Sequence, residues 1–509
     1  MAKPSLLQKL QSIPFYPFFF VAYPVLALTG INVNEVEPAV LWRPLIVLLL
    51  SAASILVLLG LVSRSWHGAA LLLSIFIFLF FTYGHVYGYL KKIEIDGFIL
   101  GRHRQLLPFW LGLGVLAIWW VMRKLRNPAA FTPVLNLLSL FLLIYPTFQT
   151  ISYVVQREQT EKAALAATHA KGAALPLGYA PDIYYIILDA YGRADVLQEM
   201  FGYDNTPFLQ SLEDRGFYVA ECSQSNYGQT MLSLTSSLNF DYLDTLISSL
   251  TPNEDTRAPL RALGQYNNAR RFLASQGYNI VSFATNFPVS EWQDASYFLN
   301  APRRGMNDFE LMLAQTTAWR APMDMTDEPA ERASAEWYRR RTLSALEQME
   351  TTVPDIPSPK FVFTHLVIPH HPFVFGPNGE EINSIEADVP EFDEYKIKYP
   401  DQVTYINQRI TTIVDLILDT SPNPPIIVIQ GDHGPAPFDV EERRMKILNV
   451  YYFPDNMDGL YPSITPVNTF RVIFNKYFGQ AYPILEDRSL YSAYDVPYNY
   501  KEIPNDCQP

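Results

Sequence analysis

The stretch PPIIVIQGDHGPAP, residues 424–437, decides the fold class, because it joins a strand signal to a cluster of polar residues. Aliphatic residues fill 426–429, a run that predicts a strand buried on both faces. The run ends in Gly431, Asp432, His433 and Gly434. A core strand gains nothing from a carboxylate beside an imidazole, and a surface turn does not need a histidine. One explanation is a metal site at the end of the strand.

Similar apolar runs recur along the second part of the chain, at 183–189, 278–283, 361–366 and 448–453. Helical patterns lie between them, for example at 206–215 and 333–350. Strands that alternate with helices predict an α/β fold with a mostly parallel sheet between helices. In such sheets, ligands bind beyond the carboxyl ends of the strands.

That rule selects polar residues at three strand ends. Asp189 ends the run IYYIILD, and His365 and His370 lie at and after the end of the run FVFTHL. Asp432 and His433 follow the run IIVIQG. Three strands would therefore bring carboxylates and imidazoles to one edge of one sheet. Oxygen and imidazole ligands favour zinc or manganese over calcium or magnesium.

The segment SQSNYGQTMLSLTSSLNF, residues 223–240, is the candidate source of a nucleophile. It is rich in hydroxyls and turns into a helical pattern near Thr230. A hydroxyl at a helix N-terminus meets unpaired backbone N–H groups that favour an alkoxide and an incoming phosphate or sulfate. Ser223, Ser225 and Ser233 compete with Thr230 for this role, since hydroxyls at a helix start often only cap it.

Composition restricts the partners and the number of domains. A chain of 509 residues is too long for a single core. Its net charge of −13 excludes nucleic acid as a partner, because a phosphate-binding surface is basic. The two cysteines, Cys222 and Cys507, are too few for a thiolate metal site, and the sequence does not decide whether they pair.

The N-terminal part of the chain is a predicted membrane domain. A helix needs about 20 apolar residues to cross a bilayer. Five segments approach or exceed that length: 16–31, 41–62, 69–90, 106–122 and 133–155. The predicted organisation is a transmembrane domain at 1–157, a linker at 158–180 and a catalytic domain at 181–509. An odd number of spans places the catalytic domain opposite the N-terminus.

The charges near the spans give a mixed result for this orientation. Six basic residues fall inside, as the positive-inside tendency expects: Lys3, Lys9, Arg64, Arg123, Lys124 and Arg126. Four fall in a loop that the five-span arrangement places outside: Lys91, Lys92, Arg102 and Arg104.

With these motifs in this order, the soluble half resembles the alkaline phosphatase/sulfatase superfamily. The matching residues are Asp189 in IILDAYGR, Thr230 in QTMLSLTSS, His370 in PHHPF, and the pair Asp432 and His433 in GDHG. The five-span layout resembles that of the membrane-anchored branch, which includes lipoteichoic acid synthases and lipid A phosphoethanolamine transferases. The resemblance covers about residues 180–479, together with the number of spans.

The resemblance implies a set of roles. Asp189, Thr230, Asp432 and His433 would hold one divalent metal, zinc or manganese. Thr230 would attack a phosphodiester, and His370, or His371 in its place, would stabilise the phosphoryl oxygens or protonate the leaving group. His365 is either a further site residue or a core histidine.

The implied activity is a phosphotransfer at a bacterial-type cell membrane, with the catalytic domain on the extracytoplasmic side. A phosphoglycerol or phosphoethanolamine headgroup would pass from a phospholipid donor to a glycan or lipid acceptor. The alternative is a sulfatase-like hydrolase that cleaves phosphodiesters or sulfuric esters with water as the acceptor. A catalytically silent envelope protein is the third hypothesis.

Two departures from the family pattern bear on these expectations. The C/S-x-P-x-R motif that sulfatases convert to formylglycine is absent from the sequence, which disfavours sulfate-ester hydrolysis. The family's transferases carry a further histidine after the D-H-G triplet, and no histidine follows His433 here. Its role passes to His365, to Arg443 or Arg444, or to no residue, and a second metal is therefore doubtful.

Overall fold

The structure is a computed structural model that divides into two compact units. It describes residues 12–33, 36, 38–95, 98–99, 101–166, 180–247, 251, 255–301, 306–325, 330–382, 392–435 and 441–507. The first unit takes the chain up to Val155 and the segment 304–334. The second takes residues 156–303 and the chain from Ala335 onward. The catalytic domain predicted at 181–509 is therefore interrupted by a segment that groups with the N-terminal helices.

The first unit is built mainly from apolar helices. They are α1 (Tyr16–Ile31), α2 (Trp42–Ser63), α3 (Trp66–Leu90), α4 (His103–Arg123) and α5 (Thr132–Ala166). Short 3₁₀ turns precede α2 and α5, at Pro38–Leu41 and Pro128–Phe131, and a small hairpin joins β1 (Glu94–Ile95) to β2 (Phe98–Ile99).

The helix bounds agree closely with the predicted spans. Among the described residues, four helical segments are long and apolar enough to cross a membrane: Pro38–Ser63, Trp66–Leu90, His103–Arg123 and Pro128–Gln159. The predicted first span, Tyr16–Ile31, forms a shorter apolar helix of 16 residues. The structure therefore shows four long candidates and a shorter fifth helix, where the sequence predicted five spans.

Segment 304–334 belongs to the first unit, although it comes from the middle of the chain. It contains α12 (Asp308–Gln315) and α13 (Arg320–Asp324). Phe309 and Leu313 of α12 pack in the same apolar cluster as residues of α1 to α4. His103 bonds Asp324 through Nε2 at 2.9 Å and the hydroxyl of Tyr83 through Nδ1 at 2.8 Å. The sequence analysis did not predict this association.

The second unit contains a seven-stranded sheet in the order β4-β9-β8-β3-β7-β5-β6. The strands are β3 (Ile183–Leu188), β4 (Tyr218–Val219), β5 (Asn279–Phe283), β6 (Tyr297–Leu299), β7 (Lys360–Leu366), β8 (Ile426–Gly431) and β9 (Asn449–Tyr452). All pairs are parallel except those that β9 makes with β8 and β4. The predicted, mostly parallel α/β fold is confirmed.

Helices cover both faces of the sheet, and alternate residues of β3 show why. Ile183, Tyr185 and Ile187 belong to one apolar cluster, while Tyr184 and Ile186 belong to another. Every residue of β3 is buried, as the continuous apolar run predicted. The sheet is therefore the middle layer of three.

The remaining elements of the second unit complete these layers. The helices are α6 (Ala194–Phe201), α7 (Thr206–Glu213), α8 (Thr230–Asn239), α9 (Leu243–Leu246), α10 (Ala258–Gln265), α11 (Asn268–Ser275), α14 (Ala330–Thr351), α15 (Phe392–Thr420), α16 (Glu441–Met445) and α17 (Pro466–Phe478). A 3₁₀ turn lies at Val353–Asp355, and a second small hairpin pairs β10 (Ser489–Tyr491) with β11 (Lys501–Ile503).

A disulfide joins Cys222 to Cys507 across 285 residues of sequence. The C-terminal segment 489–507 packs beside the hydroxyl-rich segment of the chain at further points. Asn505 donates to the carbonyl of Cys222 at 2.8 Å, and Leu490 N donates to the carbonyl of Asn226 at 2.8 Å. Segment 489–507 is thus fixed beside the residues that lead into α8.

Candidate active site

The register of three neighbouring strands brings the acidic residues together. In the parallel sheet, Leu188 of β3 pairs with Leu366 of β7 on one side and with Gly431 of β8 on the other. Asp189 and Asp432 each follow the last paired residue of their strand. They therefore leave the sheet at the same level, at its carboxyl edge.

Each of these two carboxylates has one oxygen held and one oxygen without a hydrogen bond. Asp432 Oδ1 accepts from the backbone N–H groups of Ala190 at 3.0 Å and His433 at 2.9 Å. Asp189 Oδ2 lies 3.3 Å from His365 Nε2. Asp432 Oδ2 and Asp189 Oδ1 are buried, and neither has a hydrogen-bond partner among the described residues.

The two unpartnered oxygens both approach one nitrogen. His433 Nε2 lies 3.6 Å from Asp189 Oδ1 and 3.5 Å from Asp432 Oδ2. The other ring nitrogen, Nδ1, lies 2.9 Å from the carbonyl of Gly434, so it carries the proton and Nε2 carries the lone pair. The oxygens and this lone pair thus converge in a buried place.

Thr230 supplies a fourth donor atom, its hydroxyl oxygen. It is the first residue of α8, and its Oγ1 lies 3.3 Å from His433 Nε2. Thr230 is half-buried, whereas the competing Ser225 and Ser233 are fully buried and donate to the carbonyl of Asp432 at 2.5 and 2.7 Å. Ser223 is also buried and donates to the carbonyl of Ile464 at 2.7 Å. Of these four hydroxyls, that of Thr230 contacts the His433 imidazole.

These residues suit a divalent cation. Buried carboxylate oxygens without partners are costly unless something positive meets them. Two carboxylates, an imidazole and a hydroxyl form a donor set that zinc and manganese accept. Ligand atoms of Asp189, His365 and Asp432 also lie within 4.8 Å of one another, so His365 is a second candidate nitrogen ligand.

His365 is a buried histidine whose two nitrogens are both engaged. Its Nδ1 lies 2.9 Å from the hydroxyl of Ser290, and its Nε2 faces the Asp189 oxygen that points away from His433. The ring of Phe287 packs edge-on against it. In this structure His365 orients Asp189.

His370 and His371 lie side by side after β7, with ring centroids 4.2 Å apart. His370 Nδ1 donates to the carbonyl of His371 at 2.6 Å, so the neutral ring has its lone pair on Nε2. The ring of His370 lies 6.2 Å from that of His433. Tyr338 and Gln402 hold the backbone of this segment through the carbonyl of His370, at 3.2 and 3.1 Å.

Electrostatics in the cluster favour an ionised Asp189 and neutral His433 and His371. Burial raises the pKa of Asp189, but the attraction of His370 and the hydrogen bond from His365 outweigh it, so the pKa is lowered overall. Burial, and secondarily the positive charge of Arg444, lowers the pKa of His433. Burial and the neighbouring His370 lower the pKa of His371 to about 3. A carboxylate and neutral imidazoles are the protonation states that bind metals.

Two arginines named by the sequence analysis differ in their positions. Arg444 is partly buried; its Nη2 lies 3.3 Å from His433 Nε2, and its Nε donates to the carbonyl of Gly228. Arg443 instead forms an ion pair with Glu199, whose side chain is largely exposed. Only Arg444 therefore reaches the cluster.

Some contributors to the site carry no clear sequence signal. Ala190, directly after Asp189, has a φ of 62°, which turns the chain sharply at the strand end and lets its N–H bind Asp432. The hydroxyl of Tyr399 donates to the carbonyl of Ala190 at 2.7 Å and so supports that turn. A tyrosine about 200 residues away in sequence could not be assigned to the site from its local pattern.

No family model and no curated protein match this sequence. Similar solved structures include the C-terminal periplasmic domain of EcEptC from Escherichia coli in complex with zinc, at 12% identity and a TM-score of 0.39 over 61% of this chain and 87% of that one. The soluble domain of the lipooligosaccharide phosphoethanolamine transferase A from Neisseria meningitidis is 11% identical, with a TM-score of 0.38 over 60% of this chain and 90% of that one.

A protein of the alkaline phosphatase superfamily from Vibrio parahaemolyticus is likewise 11% identical, with a TM-score of 0.38 over 67% of this chain and 81% of that one. The three structures named are thus each similar to this chain at low identity and over about two thirds of its length.

Proposed function

We propose that this chain is a membrane-anchored, metal-dependent phosphotransferase that works through a phosphorylated Thr230. One observation carries the proposal. The Thr230 hydroxyl, at the N-terminus of α8, lies 3.3 Å from an imidazole nitrogen that also faces two buried carboxylate oxygens without partners. That arrangement combines a nucleophile, a cation site and an anion-binding helix end.

The proposed metal ligands are Asp189 Oδ1, Asp432 Oδ2, His433 Nε2 and Thr230 Oγ1. The fit lies in the unpartnered oxygens and in the fixed tautomer of His433, which presents a lone pair to them. His365 is not among the proposed ligands, because its two ring nitrogens already bind Ser290 and Asp189. Its proposed role is to orient Asp189. A bound zinc or manganese ion would lower the pKa of the Thr230 hydroxyl and offset charge on the substrate.

The residues of the chain then account for the transfer. In the first step, Thr230 Oγ1 forms a bond to phosphorus while the bond from phosphorus to the donor's glycerol oxygen breaks. The hydroxyl proton of Thr230 passes, through Nε2 of His370, to the departing oxygen and leaves diacylglycerol. In the second step, an acceptor hydroxyl oxygen forms a bond to the same phosphorus while the bond from phosphorus to Thr230 Oγ1 breaks, and the proton of the acceptor hydroxyl returns to Thr230 Oγ1.

The proposed donor is a membrane phospholipid with a phosphoethanolamine or phosphoglycerol headgroup, and the proposed acceptor is a glycan or lipid of the cell envelope. The helices that are long and apolar enough to span a membrane support a lipid donor, because they keep the catalytic unit at a membrane. The Cys222–Cys507 disulfide supports an extracytoplasmic catalytic unit, because such bonds persist in oxidising compartments.

The test is mass spectrometry of the full chain in detergent after incubation with zinc and a mixture of phosphatidylethanolamine and phosphatidylglycerol. We expect Thr230 to gain the mass of one phosphorylated headgroup, and that mass identifies the donor. Thr230→Ala should gain none, while its thermal unfolding stays close to that of the wild type. Thr420→Ala, an exposed threonine at the end of α15, is the matched control and should be modified at Thr230 normally.

The outcomes separate the alternatives. Modification that persists in Thr230→Ala would exclude Thr230 as the nucleophile. Steady headgroup release into water, with no acceptor present, would favour the phosphodiester hydrolase. If the wild type forms no adduct and releases no headgroup, the phosphotransferase function is wrong.

A further inference from the structure

Arg444 places a positively charged guanidinium beside the proposed metal ligand His433. It lies in the short helix α16, and its backbone carbonyl accepts from Gly434 N at 2.7 Å. Its Nε donates to the carbonyl of Gly228, two residues before Thr230. The arginine is therefore attached both to the loop that carries His433 and to the segment that carries the nucleophile.

The free end of the guanidinium competes for the lone pair that a metal would use. His433 Nδ1 carries the proton that binds the Gly434 carbonyl, so Nε2 can only accept. Arg444 Nη2, at 3.3 Å, donates to that Nε2. One lone pair cannot serve both a hydrogen bond and a metal bond. Metal binding at His433 must therefore release the Arg444 Nη2 group from this partner.

Once released from His433, the Arg444 guanidinium is still held near the site. Its Nε remains bonded to the Gly228 carbonyl, and Gly228 itself is crowded, with Tyr491 and Met445 within 3.5 Å of the place of a β-carbon. The planar guanidinium then presents N–H donors next to Thr230, where a phosphoryl group would sit. Arginine binds phosphate oxygens through such paired donors.

We propose that Arg444 is a metal-gated phosphate-binding residue: it bonds His433 while the metal is absent and binds the phosphoryl oxygens once the metal takes His433. This inference rests on the proposed function of the same site and adds a residue and an order of binding to it. The ligand class is a phosphate ester or phosphate anion. The metal must bind before the anion binds tightly.

The proposal predicts opposite effects of one substitution on two ligands. Arg444→Gln removes a positive charge and a competing donor from His433, so zinc should bind as tightly as in the wild type or more tightly. The same change removes the anion-binding donors, so phosphate should bind the zinc-loaded protein about tenfold more weakly or worse. In the zinc-free protein, phosphate affinity should be low and unaffected by the change.

The experiment titrates the full chain in detergent with zinc, and then with inorganic phosphate in the presence or absence of zinc, by calorimetry. Arg443→Gln is the matched control, since the neighbouring arginine pairs with Glu199 near the surface. We expect it to leave both affinities unchanged. Arg444→Lys keeps the charge without the planar fork, and we expect an intermediate loss of phosphate affinity.

The results distinguish this inference from the function on which it rests. If the wild type binds neither zinc nor manganese, or Thr230 forms no adduct, the proposed function fails. If both hold but Arg444→Gln keeps wild-type phosphate affinity, only the inference about Arg444 is wrong. A fall in zinc affinity in Arg444→Gln would also overturn it, because the arginine would then support the metal. If that variant does not fold, unaltered phosphate binding by Arg444→Lys decides against the proposal.

Discussion

At the scale of single residues, the site depends on how each carboxylate divides its two oxygens. One oxygen of Asp189 is held by His365 and one of Asp432 by backbone N–H groups, which leaves the other pair facing His433. Fixing one oxygen sets the direction of the other. A site of this kind is oriented before any cation arrives, so little reorganisation is needed on binding.

The first prediction concerns His365, for which two roles are open. If it orients Asp189, His365→Gln should lower zinc affinity about 10- to 100-fold while one zinc still binds at saturation. Equilibrium dialysis with elemental analysis measures both quantities. His67→Gln, a histidine of the first unit that bonds Thr132, is the control and should not change either. Loss of the zinc even at saturation would instead make His365 a ligand.

Much of this chemistry could be predicted from the sequence, and the remainder depends on three-dimensional packing. Asp189 and Asp432 follow strongly apolar strands, and the strand-end rule placed them correctly at one edge. The family resemblance already favoured Thr230 over Ser225, and the structure adds that the Ser225 hydroxyl is buried and donates to a backbone carbonyl. The sequence offered Arg443 and Arg444 as equal candidates. The structure distinguishes them, because the side chain of Arg444 contacts His433 and that of Arg443 pairs with Glu199.

At the scale of elements, the site depends on the in-register pairing of β7, β3 and β8. The sequence predicted these strands because each is a continuous apolar run, and it also predicted the strand near β9. It did not predict the short strand β6, whose three residues carry little pattern. Nor did it predict that β9 is antiparallel, since orientation follows from the connection rather than from composition.

The second prediction tests the end of β8. A β-carbon on Gly431 would lie 2.4 Å from the carbonyl oxygen of Tyr191, a backbone atom that cannot move aside easily. Gly431→Ala should therefore lower the free energy of unfolding by about 1–3 kcal/mol and weaken zinc binding, because Asp432 must shift. Thermal unfolding and zinc titration check this.

The control for that change is Gly112→Ala in α4. A β-carbon there meets no atom within 4 Å, so the substitution should not destabilise the protein. An equal loss in both variants would mean that the effect of Gly431→Ala does not arise from the contact with Tyr191.

At the scale of the whole molecule, a disulfide joins two distant parts of the second unit. The Cys222–Cys507 bond closes a loop of 285 residues that contains most of the second unit. The sequence left this pairing open, because two cysteines far apart in the chain carry no spacing signal. Their proximity follows from the packing of segment 489–507 beside Asn226 and Cys222.

The third prediction follows from that long loop. Cys222→Ser with Cys507→Ser should lower the free energy of unfolding by about 2–4 kcal/mol, because the unfolded chain regains the freedom that the cross-link removed. A thermal scan of the purified protein measures the change. A reducing agent should produce a similar loss in the wild type and none in the double variant. Equal stability of the two oxidised proteins would contradict a stabilising role for the bond.

Segment 304–334 interrupts the sequence of the second unit and so also limits how the protein can be divided. A fragment that begins after α5 would still carry α12, whose Phe309 and Leu313 would lose the apolar neighbours that α1 to α4 provide. Trp319 and Met325 of the same segment are already largely exposed. Such a fragment would expose an apolar patch to water and would be prone to aggregate. Work with the second unit alone therefore requires deletion of this segment or the addition of detergent.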